Sequence, residues 1–217
     1  MPELDEAAAR LTFKLVYYGP AQSGKTSNLT WLHELLRAEM KGELMTLETQ
    51  SDRTLFFDLL PLGFRAPSGL LVKLRLFTVP GQVQHDGTRK AVLSRADGVV
   101  FVADSQRHEA ANNAEAFQNL ADNAARVGLD FEHLPLVVQF NKRDLPEVAP
   151  EAEIQARYAA TPWPVCFASA LRGEGVVPTF ARLLAEVWRH HDEACGLSAR
   201  HGLDEAGFVR AFTGDAV

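Results

Sequence analysis

Gly19-Pro20-Ala21-Gln22-Ser23-Gly24-Lys25-Thr26 constrains the fold of this chain more than any other stretch. It matches G-x-x-x-x-G-K-[ST] between an apolar run at residues 11–18 and a segment at 25–37 that puts Leu29, Leu32, Leu35 and Leu36 on one helical face. Strand, glycine-bounded loop and helix are the order a phosphate-binding loop requires. The glycines let the backbone curl until several N–H groups converge on a phosphate, and the helix N-terminus adds the positive end of its dipole. Gly19, Gln22, Ser23, Gly24, Lys25, Thr26 and Ser27 are the candidate phosphate contacts. Lys25 is expected to reach the β and γ phosphates. Thr26 offers a hydroxyl to Mg²⁺, a hard cation that takes oxygen ligands and is shared with the phosphates.

Along the chain, short apolar runs alternate with longer segments of helical period. That alternation predicts βα units, hence an α/β fold with a mostly parallel central sheet and helices on both faces. Further strands are expected at 43–49, 70–78, 98–104, 136–141 and 165–168, and further helices at 109–127 and 176–191. Residues 50–69 contain Pro61, Gly63, Pro67 and Gly69 and are expected to form a partly irregular linker, of a length that is often functional. One domain should cover residues 1–191. Residues 192–217 form an extension, either a short docking helix built on Leu203, Phe208, Val209 and Phe212 or a loosely ordered end.

Composition removes several alternatives. A chain of 217 residues, 47% hydrophobic, can bury one sizeable core. A formal net charge of -6 argues against a nucleic-acid or anionic-lipid footprint. Cys166 and Cys195 are too few and too far apart for a disulfide framework, which fits a reducing, cytoplasmic setting. The opening Met1-Pro2-Glu3-Leu4-Asp5-Glu6 lacks the features of a signal peptide. The apolar runs fall short of the ~20 residues that cross a bilayer, so no direct membrane insertion is expected. His190-His191, at the end of the last long helix, suits the negative end of its dipole better than a metal site, and Trp31, Trp163 and Trp188 are expected to pack the core.

The base is addressed by Asn141-Lys142-Arg143-Asp144, at the C-terminal end of an apolar strand where open α/β sheets place ligand contacts. A carboxylate there can accept from the N1–H and the exocyclic amine of guanine together, a donor pair that adenine lacks. N-K-x-D alone is a weak signal. Its place after a phosphate loop, with Ser169-Ala170-Leu171 at the end of the last strand, makes it strong. Asn141, Lys142, Asp144, Ser169, Ala170 and Leu171 are therefore base-side candidates, with the Ala170 backbone expected at the guanine O6.

Thr78-Val79-Pro80-Gly81-Gln82 ends the third strand in the place of the D-x-x-G motif of Ras-like GTPases. The Gly81 amide is expected to face the γ phosphate, and Gln82 to orient the attacking water. Thr78 stands where that motif has an aspartate, which removes a negative charge from around the metal; Asp52 and Asp58 are the nearby carboxylates. Within Asp52-Arg53-Thr54-Leu55-Phe56-Phe57-Asp58, Thr54 is a candidate Mg²⁺ ligand and Arg53 a candidate for neutralising transition-state charge from within the chain. Leu55, Phe56 and Phe57 are apolar enough to be either core or a partner surface that changes with the nucleotide.

Taken with Val16-Tyr17-Tyr18-Gly19-Pro20, these motifs make the chain resemble the MglA family of prokaryotic gliding-motility and cell-polarity GTPases, small Ras-like proteins with a P-loop NTPase fold. The resemblance spans about residues 11–191, and Thr78 matches that family's own departure from Ras. It implies slow GTP hydrolysis that a roadblock-fold homodimeric activating protein accelerates, with Arg53 and Gln82 as the catalytic pair. It also implies Thr26 and Thr54 as Mg²⁺ ligands, Asn141 and Asp144 as base readers, and polarity or motility effectors as partners. Gln84-His85-Asp86-Gly87 and the tail depart from the family pattern. The expected function is a GTP-hydrolysing switch. A guanine-nucleotide-bound scaffold with incidental hydrolysis is the alternative, and a P-loop kinase is disfavoured because no acceptor-site motif accompanies the guanine-reading one.

Overall fold

A computed structural model describes residues 2–36, 45–48, 56–81 and 86–214, with backbone only for 45–48 and 56–58. Its centre is an eight-stranded sheet in the order β3-β4-β5-β2-β6-β7-β8, with β1 (Glu3–Asp5) paired to the start of β2 (Arg10–Tyr18). β2 runs parallel to β5 (Leu71–Thr78) on one side and to β6 (Gly98–Asp104) on the other, and β7 (Leu136–Asn141) and β8 (Val165–Phe167) continue the parallel set. β3 (Met45–Glu48) and β4 (Phe56–Arg65) add antiparallel strands at the far edge. β6 and β7 are buried at every position, as their dense apolar runs led us to expect.

α1 (Lys25–Leu35) and α5 (Val176–Cys195) pack on one face together with α7 (Glu205–Thr213), which follows the short α6 (Leu197–His201). α2 (Asp86–Leu93), α3 (Ala110–Arg126) and α4 (Glu151–Tyr158) cover the other face. Because β2, β5, β6, β7 and β8 are parallel, their C-terminal ends share one edge. The chain turns to opposite sides of β2 on its way to β5 and β6, so the loop after β2 lies at the topological switch point where such sheets bind ligands.

Two expectations change. Residues 56–65 form a strand, where an irregular linker was expected, so Phe56, Phe57 and Asp58 belong to β4. Pro61 is tolerated because the β3 ladder covers only Phe56 to Leu59, leaving no further strand to receive an N–H at Pro61 on that side among the described residues. α5 continues to Cys195, so His190 and His191 lie a full turn inside it. Trp31 and Trp188 pack against the α1/α5 core and Trp163 against the α2/α3 core.

In the segment after α5, Phe208 and Phe212 are fully buried. They meet Phe13 and Phe64 edge-on at 5.8 and 4.7 Å. Asp204 caps α7 by accepting from the Gly207 N–H at 2.7 Å, and Trp188 Nε1 donates to the Leu203 carbonyl at 2.9 Å.

Candidate functional site

The loop between β2 and α1 is shaped by what lies against it. Gly24 begins α1 with φ 99°, and a Cβ there would sit 2.1 Å from Asn141 Nδ2. Only glycine serves that position. Gly81 is as tightly fixed, since a Cβ would fall 2.2 Å from the Ala21 Cα. The end of β5 is thus laid directly on the phosphate loop. Lys25 is 6% exposed, and its Nζ donates to the carbonyls of Gly19 at 3.1 Å and Pro20 at 2.6 Å. Thr26 is exposed in the first turn of α1, Ser27 is half-buried beside it, and Gln22 takes a left-handed φ of 59°.

Asn141 joins this loop to the last strand. Its Nδ2 donates to the Ser23 carbonyl at 2.8 Å, and its Oδ1 accepts from the Ala170 N–H at 2.8 Å. Both ends of the amide are therefore engaged within the protein. The Ala170 N–H, the backbone group expected at the guanine O6, donates to Asn141 in this structure. Asp144 is half-exposed at the mouth, accepting from Ser169 Oγ at 2.6 Å, and that hydroxyl holds its carboxyl below the usual range. Lys142, at φ 65°, is tied to the buried Asp104 carboxylate at 2.6 Å. Leu171, 76% exposed, projects beside them.

A phosphate-binding turn and an acceptor-only carboxylate are thus mounted on one rigid junction, at the spot where the sheet switches direction. Residues 7–187 match the ADP-ribosylation factor family. Over 179 residues the chain is 42% identical to the mutual gliding-motility protein MglA of Myxococcus xanthus (strain DK1622), covering 82% of this chain and 92% of that protein. The chain belongs to this family and is an MglA-like small GTPase. As a small GTPase it binds guanine nucleotide, hydrolyses GTP and works as a GTP-binding switch.

Members of this family generally use Mg²⁺ with the nucleotide. Of the two hydroxyls expected to hold it, the described one is on Thr26, which is exposed in the first turn of α1; Thr78, in place of an aspartate, is buried at the end of β5. Neutral hydroxyls fit a hard cation whose charge is balanced by phosphate oxygens and whose remaining positions are filled by water. Among the described residues no group of three or more His, Cys, Asp and Glu is arranged to hold a metal by itself. Arg53, Thr54, Gln82, Gln84 and His85, and the carboxylate of Asp52, lie outside the described residues.

Two side chains that touch site residues escape a motif search. Asp104 ends an apolar strand and holds Lys142; its signal is a lone carboxylate at the ligand edge of β6. Arg89 is 1% exposed and grips Pro80 and Gly81. Its signal is positional, since Arg89, Val92 and Leu93 follow i, i+3, i+4 spacing and so share the inward face of α2.

Proposed function

We propose that this GTPase controls a polarity or motility assembly by exchanging partners with its bound nucleotide, and that a roadblock-fold homodimer activates it. One observation carries the nucleotide half of this reading: the Asn141 amide links Ser23 in the phosphate loop to Ala170 in the base-side loop. Phosphate and base ends of a single ligand are then read in fixed register. The physiological half rests on the likeness to the gliding-motility relative.

In this reading Lys25 exchanges its loop carbonyls for the β and γ phosphates, where a charge-assisted contact is stronger. Gly19, Gln22, Ser23, Gly24 and Ser27 line the phosphate turn. Asp144 accepts from the guanine N1–H and amine, while Lys142, Ser169, Ala170 and Leu171 shape the base pocket. Thr26 and Thr54 would hold Mg²⁺, which would supply neutralisation of phosphate charge. Arg53 neutralises charge developing on the transferred phosphoryl, on the order of a thousandfold in rate by analogy with arginine fingers, and Gln82 orients the water.

Single-turnover GTP hydrolysis tests it. Wild type, Arg53→Ala and Gln82→Leu are compared with and without a roadblock dimer. Acceleration by the dimer in wild type, lost in both variants, is expected. Full stimulated activity in both variants would remove this catalytic pair.

A further inference from the structure

We propose that Arg89 is a positioning residue for GTP hydrolysis: its guanidinium orients the Pro80–Gly81 backbone so that the Gly81 N–H is presented across the phosphate loop. The inference rests on the reading above that Gly81 faces the γ phosphate. Arg89 Nε donates to the Pro80 carbonyl at 2.9 Å, Nη2 donates to the Gly81 carbonyl, and Nη1 donates to Asn119 Oδ1 at 2.7 Å. The guanidinium also lies over the Tyr18 ring, 5.4 Å from its centroid.

In a trans peptide the N–H points away from the C=O. With the Pro80 carbonyl turned onto Arg89, the Gly81 N–H points away from it, and Gly81 itself lies against Ala21 of the phosphate loop. Nothing in α2 packing requires a charge here. Among the described residues no carboxylate pairs with Arg89, and its acceptors are two backbone carbonyls and one amide. A planar fork that holds two successive carbonyls is something arginine provides and lysine does not.

Asn119 keeps the fork in place. Its Oδ1 also accepts from Tyr18 OH at 2.6 Å and from Asn123 Nδ2 at 3.1 Å, and Asn123 Nδ2 bonds Asp86 Oδ1 at 2.8 Å. Asp86 at the start of α2 and Arg89 one turn further on are thereby fastened to α3, and Arg89 cannot release Pro80 and Gly81 without breaking several directional bonds.

The test compares Arg89→Lys, Arg89→Gln and Gly81→Ala by single-turnover hydrolysis, by affinities for GDP and a non-hydrolysable GTP analogue, and by melting of the GDP-bound form. The expectation for both Arg89 variants is at least a tenfold loss of hydrolysis and weaker binding of the analogue. Their GDP affinity should stay within about twofold, because GDP lacks the group that Gly81 serves. Lysine, which keeps the charge, should not rescue. Hydrolysis and analogue affinity unchanged in folded Arg89 variants overturn the proposal, as do GDP and analogue affinities that fall in parallel with melting temperature. If Gly81→Ala alters the analogue-to-GDP ratio while the Arg89 variants do not, the positioning role alone fails. If Gly81→Ala leaves that ratio unchanged, the assignment of Gly81 to the γ phosphate fails.

Discussion

Under β4, β5 and β2, the contact between α7 and the sheet is made by rings and aliphatic side chains: Phe13, Phe64, Phe208 and Phe212 interlock with Leu62, Val72 and Leu74. On the other face, where α2 meets α3, a polar network sits beside the apolar core: Tyr18, Arg89, Asn119 and Asn123 bond to one another, to backbone carbonyls and to Asp86. Apolar packing is non-directional and loses energy in proportion to what is removed. A hydrogen-bonded network has discrete pairings, so it holds one backbone geometry firmly and can exchange it for another. The first region suits a scaffold, and the second suits a segment that must report which nucleotide is bound.

The sharpest way to break this comparison is Phe212→Ala. Removing a fully buried ring between Phe64 and Phe208 should cost about 3–5 kcal/mol of unfolding free energy, read by denaturant titration of the GDP-bound protein. Discrimination between GDP and a GTP analogue should not move. A change in that discrimination would mean that the apolar region takes part in switching. Asp144→Asn is the converse. It removes an acceptor whose contacts to guanine are worth roughly 2–3 kcal/mol together, so GTP affinity should fall about a hundredfold while xanthine nucleotides gain, because the new amide donates to the exocyclic oxygen. Stability should change by under about 1 kcal/mol, because the group is half-exposed and loses only one neutral partner, Ser169. Unchanged base preference in competition binding would remove Asp144 from the base site.

Legibility followed the range of the forces. The strands at 98–104 and 136–141 were visible because burial on both faces makes them dense in apolar residues, Gln139 being the polar residue inside them before the terminal Asp104 and Asn141. The phosphate loop was visible because its glycines answer to close approaches, such as the Val102 carbonyl against Gly19 and the Asn141 side chain against Gly24. β4 was hidden because Pro61 and Gly63 look like a linker until the partner strands show where an N–H or a side chain is dispensable. Asn141 was expected beside the base; its place as the junction between two loops was hidden, since Ser23 and Ala170 are brought to it only by the sheet. Arg89 was hidden because an arginine on an inward helical face has no meaning until its acceptors are known, and these are main-chain atoms without sequence signatures. His191 was misjudged for a related reason. Two further features, the length of α5 and the ring of Phe13 5.7 Å away, place it inside the packed region and not at a helix end.

That histidine gives the smallest effect and the finest test. His191 lies in the apolar region, 6% exposed, with Phe13 on one side, His190 next to it at 4.6 Å and Asp97 beyond its Nε2 at 3.9 Å. Burial, reinforced by His190, lowers its pKa from 6.5 to about 4. Between those values the unfolded chain binds a proton that the native protein does not, so stability rises with pH and falls as pH drops from about 6.5 towards 4. The loss attributable to His191 should be about 1–2 kcal/mol, allowing for solvent at the edge of the site. His191→Phe keeps an aromatic ring against Phe13 and cannot titrate, so its unfolding free energy should fall less steeply over that window, with parallel curves above pH 7. If wild type and variant lose stability equally on acidification, His191 is charged in the folded state, and the packing around Phe13 is more permeable to water than its burial implies.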